Sequence, residues 1–402
     1  MPWHETDPVD ERLKFVAAWQ RGDQSMTELC ASFGISRKTG YKLVNRYVRE
    51  GPDALRDRSR APYTRPNQCS PEVEAAVLQV RKTYPTWGSK KILSWLEQRD
   101  PFARWPARST VDAILTRAGV VCPKRKRARR RAPSSPPVID VSSPNDAWSI
   151  DYKGWFRVGD GTRCDPLTIN DMFSRASLAC EAMVSPKLED VKCRLEDAFW
   201  QFGLPNCMLS DNGPPFGSVG LGGLSQLSVW LLRLGVRPVF IQPGRPDQNG
   251  QHERFHRTLK EETASPPRAT ISAQQRAFTA FQAVYNEERP HEALDMRRPA
   301  ELYEMSARAM TATPPEHEYV DGFEVRRVRR DGTIKWAGGF VFVGQAMCQE
   351  RVGLEPIEDG VWHVHLGPMR LGALHERSKT VLPLANEPDP SAETDAPDHD
   401  DA

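Results

Sequence analysis

The stretch KRKRARRR, residues 124–131, places the strongest constraint on how this 402-residue chain folds. Seven of its eight residues are basic, and a block of like charges repels itself and cannot join a packed core. Prolines follow it, so we predict a basic, proline-rich linker over residues 123–145. A polyanion is the expected partner of such a segment. The linker separates a helical part of the chain from a part that is rich in strands.

The segment over residues 1–60 predicts a helix-turn-helix domain. A short helix begins near Met26, Phe33 and Gly34 provide a turn, and Ser36 is a good cap for the helix that follows. This order is typical of DNA-binding helix-turn-helix units. The basic residues of the second helix are Arg37, Lys38, Lys42 and Arg46. We interpret them as DNA contacts, and the alternative is the solvated face of an ordinary helical hairpin.

Residues 61–122 predict a second helical domain. Amphipathic patterns cover residues 72–84, 89–99 and 109–118, and Ser109 is the expected cap of the last helix. The pattern is compatible with a second helix-turn-helix and equally with plain helical packing. The sequence leaves both alternatives open.

From residue 147 the periodicity becomes strand-like. Three strand-like segments precede alternating strands and helices, which predicts a mixed-sheet α/β domain over residues 146–305 with a helix at 221–234. Trp148 and Trp155 are predicted to pack against its core. Short strands with glycine turns over residues 318–382 predict a small β-barrel or sandwich.

The C-terminal tail, residues 386–402, carries seven acids and no lysine or arginine. Such a composition cannot bury enough apolar surface to fold, so we expect this tail to be disordered.

Three acids occupy comparable positions in the predicted α/β domain. Asp151 lies in the strand-like run WSIDYKG, Asp211 follows a short apolar run in LSDNGPPF, and Glu253 begins a helix in GRPDQNGQHERFHRTLK. In the predicted sheet, Asp151 is on the central strand, Asp211 ends its neighbour and Glu253 projects from a helix packed across them. Carboxylates that converge raise each other's pKa, and divalent cations remove this cost.

Several of these residues also have simpler interpretations. Asp211 begins good turn chemistry whatever the function. Asp171 is a rival metal ligand, but Arg175 nearby favours a structural ion pair, so we leave Asp171 out of the predicted site. His252 and His256 flank Glu253, and we interpret them as packing residues because magnesium prefers oxygen ligands.

Together, WSIDYKGWF, LSDNGPPF and GRPDQNGQHERFHRTLK resemble the three acidic motifs of bacterial insertion-sequence transposases of the DDE type. The likeness covers residues 148–303 and implies a ribonuclease H-like core similar to that of retroviral integrases. It implies that Asp151, Asp211 and Glu253 are the catalytic, metal-binding triad. It also implies two Mg²⁺ ions, which Mn²⁺ can replace, and helical units that bind the ends of a DNA element.

Two departures from this family pattern are visible. Glu253 follows Asp211 by 42 positions, more than in the best-known members, and the extra residues are GSVGLGGLSQLSVWLLRLG. Retroviral integrases carry an N-terminal His/Cys zinc domain, which this sequence does not show. The second departure favours the bacterial side of the resemblance.

Basic residues in two further places are predicted to contact DNA phosphates. Arg257 and Lys260 follow Glu253 on one helical face, for which a solvated basic face is the alternative. The linker residues are Lys124, Arg125, Lys126, Arg127, Arg129, Arg130 and Arg131.

The sequence as a whole predicts a DNA transposase that cleaves the ends of its element and joins them to target DNA. Its partners are then the terminal inverted repeats, target DNA and further copies of the chain in a homo-oligomer. One alternative is a catalytically silent, sequence-specific DNA-binding regulator. Another is a ribonuclease H-like nuclease that cuts without joining.

The remaining composition excludes other classes. The eight cysteines form no Cys-x-x-Cys pair and do not lie with histidines at zinc spacing, so no structural zinc site is expected. No long apolar run or secretory signal is visible. We therefore expect a cytoplasmic protein with no membrane partner.

Overall fold

The computed structural model describes residues 7–59, 69–121, 139–242 and 245–383. The chain forms two compact units, Met1–Cys69 and Ser70–Ala402. The basic stretch 124–131 and the acidic tail 386–402 lie outside the described residues, so the predictions made for them stay predictions.

The first unit contains the helices α1 (Pro8–Arg21), α2 (Met26–Ser32) and α3 (Arg37–Glu50). The predicted cap of α3 is confirmed, because the Ser36 hydroxyl accepts a hydrogen bond from the Thr39 amide at 3.2 Å. The helices α2 and α3 approach closely at Gly40, where an added Cβ would lie 2.5 Å from the Cys30 sulfur. Helix, tight turn and capped helix thus pack as the sequence predicts.

The second unit begins with the helices α4 (Pro71–Thr83), α5 (Ser89–Arg99) and α6 (Arg108–Arg117). The predicted Ser109 cap is wrong, because α6 begins one residue earlier and its cap position is Ala107, which has no side-chain acceptor. Helix α5 is fixed to the rest of the unit by polar contacts. Trp95 Nε1 donates a hydrogen bond to Glu288 at 3.0 Å, and Lys90 pairs with Glu292 at 2.7 Å.

The central sheet of the second unit is mixed. Its strands are β1 (Ala147–Tyr152), β2 (Phe156–Arg157), β3 (Arg163–Asp171), β4 (Ser177–Met183), β5 (Cys207–Ser210) and β6 (Arg237–Phe240). The pairs β1–β3 and β3–β4 are antiparallel, whereas β5 is parallel to both β1 and β6. Because β1 lies between β3 and β5, the predicted mixed sheet with a central first strand is confirmed.

Helices pack on the two faces of this sheet. They are α7 (Leu188–Phe202), α8 (Gln226–Arg233), α9 (Gly250–Thr263) and α10 (Ile271–Ala283), and α10 continues into one π-helical turn, Val284–Glu288. One apolar cluster joins β1 and β3 to α7 and α8, and another joins β4 to α9 and α10. None of the described helices has the length and apolar character of a membrane span.

The two tryptophans near β1 have different environments. Trp148 is fully buried in the core, as predicted. The prediction for Trp155 is wrong, because its side chain is 57% exposed and the guanidinium groups of Arg157 and Arg163 lie over its ring. Trp155 lies in the loop between β1 and β2, where the chain has already left the core.

The segment between Asp211 and Glu253 contains a helix with two buried faces. The predicted helix over residues 221–234 is only partly confirmed, because α8 begins at Gln226 after a capping box formed by Ser225 and Ser228. On α8, Leu227 and Leu231 belong to the core of the central sheet. Val229 and Leu232 belong to the core of the C-terminal domain.

The C-terminal domain is an open sheet with a separate hairpin. Its strands are β7 (Glu324–Arg327), β8 (Thr333–Trp336), β9 (Gly339–Phe342), β10 (Arg351–Glu358), β11 (Val361–Leu366), β12 (Met369–His375) and β13 (Thr380–Pro383). The sheet order is β13-β12-β11-β10-β7, and β8 pairs only with β9. In the described part of the chain the sheet does not close, so the predicted barrel is not confirmed. The hairpin and α8 contribute to its apolar core instead.

Candidate active site

The structure brings Asp151 and Asp211 to neighbouring strands. Parallel pairing of β1 and β5 sets Ser149 opposite Leu209, and Asp151 and Asp211 each follow two residues later. The two carboxylates therefore stand at the same level, where β1 and β5 end. Parallel strands that end side by side are a common position for binding and catalytic residues.

The carboxyl group of Asp151 lies in an environment that opposes its charge. Burial, followed by the negative charge of Asp211, raises its pKa to about 7. Three groups act in the opposite direction and lower this pKa. They are the Tyr152 backbone amide, the Asn249 side-chain amide, which donates a hydrogen bond to Oδ2 at 2.9 Å, and the charge of Lys153. A cation bound next to this carboxylate would stabilise its charged form and lower its pKa.

Asp211 is half-buried at the start of its turn. Burial raises the pKa of its carboxyl group, and the Gly213 amide, which donates to Oδ1 at 3.1 Å, lowers it. The Asn212 side chain donates to the backbone carbonyl of Ile241 at 2.6 Å. The tight turn predicted after Asp211 is therefore present, and its hydrogen bonds hold Asp211 at the strand end.

Two buried histidines of α9 lie behind Asp151. His252 is within hydrogen-bonding distance of the Ser149 hydroxyl at 2.9 Å, and His256 is within that distance of the Thr168 hydroxyl at 2.7 Å. Burial lowers the pKa of His252 to about 3 and that of His256 to about 2. Both imidazoles are thus neutral near pH 7 and bind α9 to the sheet, which agrees with their interpretation as packing residues.

Glu253 occupies the first turn of α9 and is exposed. Among the described residues, the one set of three or more acidic, histidine or cysteine side chains whose ligand atoms all lie within 4.8 Å is elsewhere, in the C-terminal domain. The structure therefore brings Asp151 and Asp211 together but leaves Glu253 outside a compact cluster with them.

Asp171, the rival acid, has a structural environment. It is 1% exposed, and its carboxylate accepts hydrogen bonds from the Ser174 amide and hydroxyl, both at 2.7 Å, and from the Asn145 amide at 2.8 Å. The expected ion pair with Arg175 is not what holds it, because Ser174 and Asn145 satisfy its oxygens. Burial raises the pKa of Asp171.

The predicted DNA contacts differ in their surroundings. Arg257 and Lys260 are exposed on α9, and Arg37, Lys38 and Lys42 are exposed on α3. Arg46 is partly buried and donates a hydrogen bond to the carbonyl of Arg56 at 2.9 Å. The linker cations, residues 124–131, lie outside the described residues.

Sequence reasoning missed two residues beside the acids. Lys153 follows Asp151 by two positions and lines a cavity of about 150 Å³ with Lys260. The second is Asn249, whose side-chain amide donates a hydrogen bond to Asp151. The sequence did offer a signal for Lys153, because this lysine lies close to a predicted strand-end acid. No local pattern reveals the contact of Asn249.

Family models match most of this arrangement. Two integrase core domain models match residues 141–246 and 234–299. A helix-turn-helix domain matches residues 11–63, a homeodomain-like domain matches residues 39–115, and the C-terminal domain of IS481 family transposases matches residues 323–382. Over residues 141–299 the chain is similar to integrase core domains. The helix-turn-helix interpretation of the first segment is confirmed, and the second helical segment lies largely within the homeodomain-like match.

Relatives of the chain include insertion-element proteins. It is 25% identical over 238 residues to an uncharacterized 39.2 kDa protein of insertion element IS476 from Xanthomonas euvesicatoria, which covers 59% of the chain and 66% of that protein. It is 32% identical over 163 residues to an uncharacterized 31.7 kDa protein of IS407 from Burkholderia multivorans, covering 40% and 56%. The matches thus span less than two thirds of these relatives' lengths.

Among solved structures, the integrase catalytic core domain of HTLV-2 in complex with magnesium is similar at 16% identity. It covers 40% of this chain and 98% of that chain, with a TM-score of 0.32. In the chain described here, the mixed sheet with helices on its two faces agrees with the mixed-sheet α/β domain that the sequence predicts.

Proposed function

We propose that the chain is a DNA transposase whose integrase core cleaves the ends of its element and joins the 3′-hydroxyl ends to target DNA. The helix-turn-helix domains would bind the terminal inverted repeats. The observation that carries the proposal is the pair Asp151 and Asp211, set side by side where β1 and β5 end, in a chain that begins with DNA-binding domains.

A divalent metal fits this pair of acids. Asp151 and Asp211 are neighbouring carboxyl groups that are both partly buried, so ionising both costs free energy. The pKa of Asp151, raised to about 7, reflects this cost. The aspartate donors are oxygen atoms. His252 contacts the Ser149 hydroxyl and His256 Nε2 contacts the Thr168 hydroxyl, while His256 Nδ1 stays 4.0 Å from Asp151 Oδ2. Oxygen donors without histidine favour Mg²⁺, with Mn²⁺ as a substitute.

We propose that Asp151, Asp211 and Glu253 hold two Mg²⁺ ions. When bound, such ions supply an activated oxygen nucleophile and stabilise the leaving oxygen of an in-line displacement. The protein's own part is to hold the two aspartates at rigid strand ends and to release Asp151 from Asn249. Because Glu253 is exposed, we expect the first turn of α9 to move towards the aspartates when DNA and metal bind.

The exposed cations would position DNA. Arg257 and Lys260 lie on the same helix as Glu253, and Lys153 and Lys260 line one cavity beside it. We propose that they contact phosphates next to the cut, while Arg37, Lys38 and Lys42 of α3 contact the inverted repeat. Each lost phosphate contact should reduce the slope of log affinity against log salt by about 1.

The test uses DNA that carries the inverted repeats flanking the gene. End cleavage and joining to a plasmid are followed with Mg²⁺ for the wild type, for Asp211→Asn and for a control, Asp140→Asn, which removes an exposed acid of the same unit. The proposal expects joining by the wild type and the control and none by Asp211→Asn. Cleavage without joining would identify a nuclease, and end-specific binding without chemistry would identify a silent regulator.

The reaction also requires that two DNA ends be brought together. We propose that two or more copies of the chain do this on DNA. Mass measurement of the complex on paired ends should then give at least two chains, and a single chain on joined products would contradict the proposal.

A further inference from the structure

The outer face of the C-terminal sheet carries a cluster of two histidines and one glutamate. Glu355 lies on β10 opposite His363 of β11, and His365 lies two residues further along β11 on the same face. One ligand atom from each residue lies within 4.8 Å of the other two. Glu355 Oε2 is 3.0 Å from His365 Nε2 and 3.7 Å from His363 Nδ1.

The cluster follows from strand alternation. Val352 and Leu354 of β10, and Val364 and Leu366 of β11, are fully buried in the domain core. The intervening residues therefore point to the opposite face. There Glu355 and His363 form a direct cross-strand pair, and the long glutamate side chain also reaches His365.

Packing holds this cluster in place. The Phe323 ring contacts the His365 ring edge to face, with centroids 5.2 Å apart. The Tyr319 hydroxyl lies 3.2 Å from the carbonyl of His365 and 2.8 Å from that of Arg351. The side chains of His363 and His365 are only 18% and 15% exposed, whereas that of Glu355 is 40% exposed. An ion could therefore approach from the glutamate side.

We propose that Glu355, His363 and His365 form a binding site for a divalent transition metal of the zinc type. Two imidazoles and one carboxylate are a common protein donor set for Zn²⁺, with ligand bonds of about 2.0–2.2 Å and a fourth position left to water. Ligand atoms of such a site stand about 3.3 Å apart, so small side-chain rotations would complete it. Mg²⁺ prefers oxygen donors and should not compete.

The sequence analysis expected no structural zinc site because of how the cysteines are spaced. The cluster of Glu355, His363 and His365 contains no cysteine, so it is a different kind of site. One nearby charge limits the affinity. Arg370 is the partner of His365 on β12, and its charge acts on that histidine. We therefore expect a zinc affinity weaker than that of a closed cysteine site.

Bound zinc would join β10 to β11 and stabilise the domain through mass action. A ligand that binds only the folded state stabilises that state increasingly as its concentration rises above its Kd. The proposed site is independent of the acids in the integrase core, and water would keep its fourth position.

The experiment measures zinc binding by the full-length chain in excess Mg²⁺. Zinc per chain after dialysis and the Zn²⁺ Kd are compared for the wild type, Glu355→Gln, His363→Ala and His365→Ala. The matched control is His375→Ala, a histidine of β12 outside the cluster. Loss of an outer-shell partner typically weakens a metal site about 10–100-fold, so each ligand variant should weaken binding by more than about tenfold.

Co²⁺ in place of Zn²⁺ reports which ligands are used. The expected spectrum shows no thiolate charge-transfer band, because the site has no sulfur. Hydrogen exchange of β10 and β11 should slow on zinc addition in the wild type and in His375→Ala only. Equal zinc content in all variants, or a thiolate band, would overturn the site and assign zinc to cysteines. Exchange of β7 and β13 that matches the wild type without zinc shows that the C-terminal domain of each variant is folded.

Discussion

The charge of Asp151 should make β1 less stable in the metal-free protein, and replacing it by asparagine should remove that effect. Burial and the charge of Asp211 raise the pKa of Asp151 from an ordinary 3.8 to about 7. A group with a raised pKa binds its proton more tightly in the folded state. Its contribution to stability is therefore present at low pH and is lost as the pH rises through about 7.

The size of the effect follows from the pKa values. A rise from 3.8 to about 7 corresponds to about 4 kcal/mol, at about 1.4 kcal/mol for each tenfold change in proton affinity. The Asp151 side chain is 19% exposed, so solvent screens this cost only in part. Asp151→Asn has the same shape and no charge. We expect it to stabilise β1 against opening by up to about 4 kcal/mol near pH 8, and by less than half of that near pH 5.

Hydrogen exchange of β1 peptides is the suitable assay, because a chain with several domains has no single unfolding transition. Wild type and Asp151→Asn are compared at each pH, so that intrinsic exchange rates cancel. Asp140→Asn, which removes an exposed acid, is the control and should leave β1 unchanged. Mg²⁺ should slow the hydrogen exchange of β1 in the wild type alone, so that the wild type becomes the more protected of the two proteins.

The reasoning fails if Asp151→Asn and the wild type open equally near pH 8. It also fails if the difference between them is the same at both pH values, since a simple packing effect does not depend on the ionisation of Asp151.

Three other substitutions probe features of the fold and site. Asn249→Ala removes the donor that lowers the pKa of Asp151, so the Mg²⁺-dependent joining activity should appear only at higher pH, and an unmoved pH profile would contradict this. Ser225→Ala removes the capping box of α8 and should ease its local opening by about 1 kcal/mol in hydrogen exchange. Gly353→Ala would bring a Cβ into the Tyr319 ring and to 2.8 Å from Phe323, which should destabilise the C-terminal sheet by about 1–3 kcal/mol. Hydrogen exchange of β10 is the measurement, and protection equal to that of the wild type would contradict this expectation.

Features encoded by short stretches could be predicted from the sequence. The apolar run before Asp211 predicted a strand that ends at this acid, and β5 does end at Ser210. The capped helix after Ser36 and the central position of β1 were likewise predicted. Each depends on neighbours in the sequence or on the ordinary pairing rules of α/β sheets.

Features that depend on distant contacts could not be predicted. Closure of a barrel depends on whether the first and last strands pair, and β7 and β13 are instead the edges of an open sheet. The hydrogen bond from Asn249 to Asp151 joins positions 98 residues apart. The triad of Glu355, His363 and His365 arises from the register of β10 and β11, which the strand pattern alone does not set.

The two buried faces of α8 make the packing of the central sheet and that of the C-terminal domain depend on one helix. Leu227 and Leu231 match one surface, and Val229 and Leu232 match the other. A chimera that took residues 318–382 from a relative but kept the native α8 would present a foreign surface to Val229 and Leu232. Exchange of the C-terminal domain between elements should therefore succeed only when the segment between Asp211 and Glu253 travels with it.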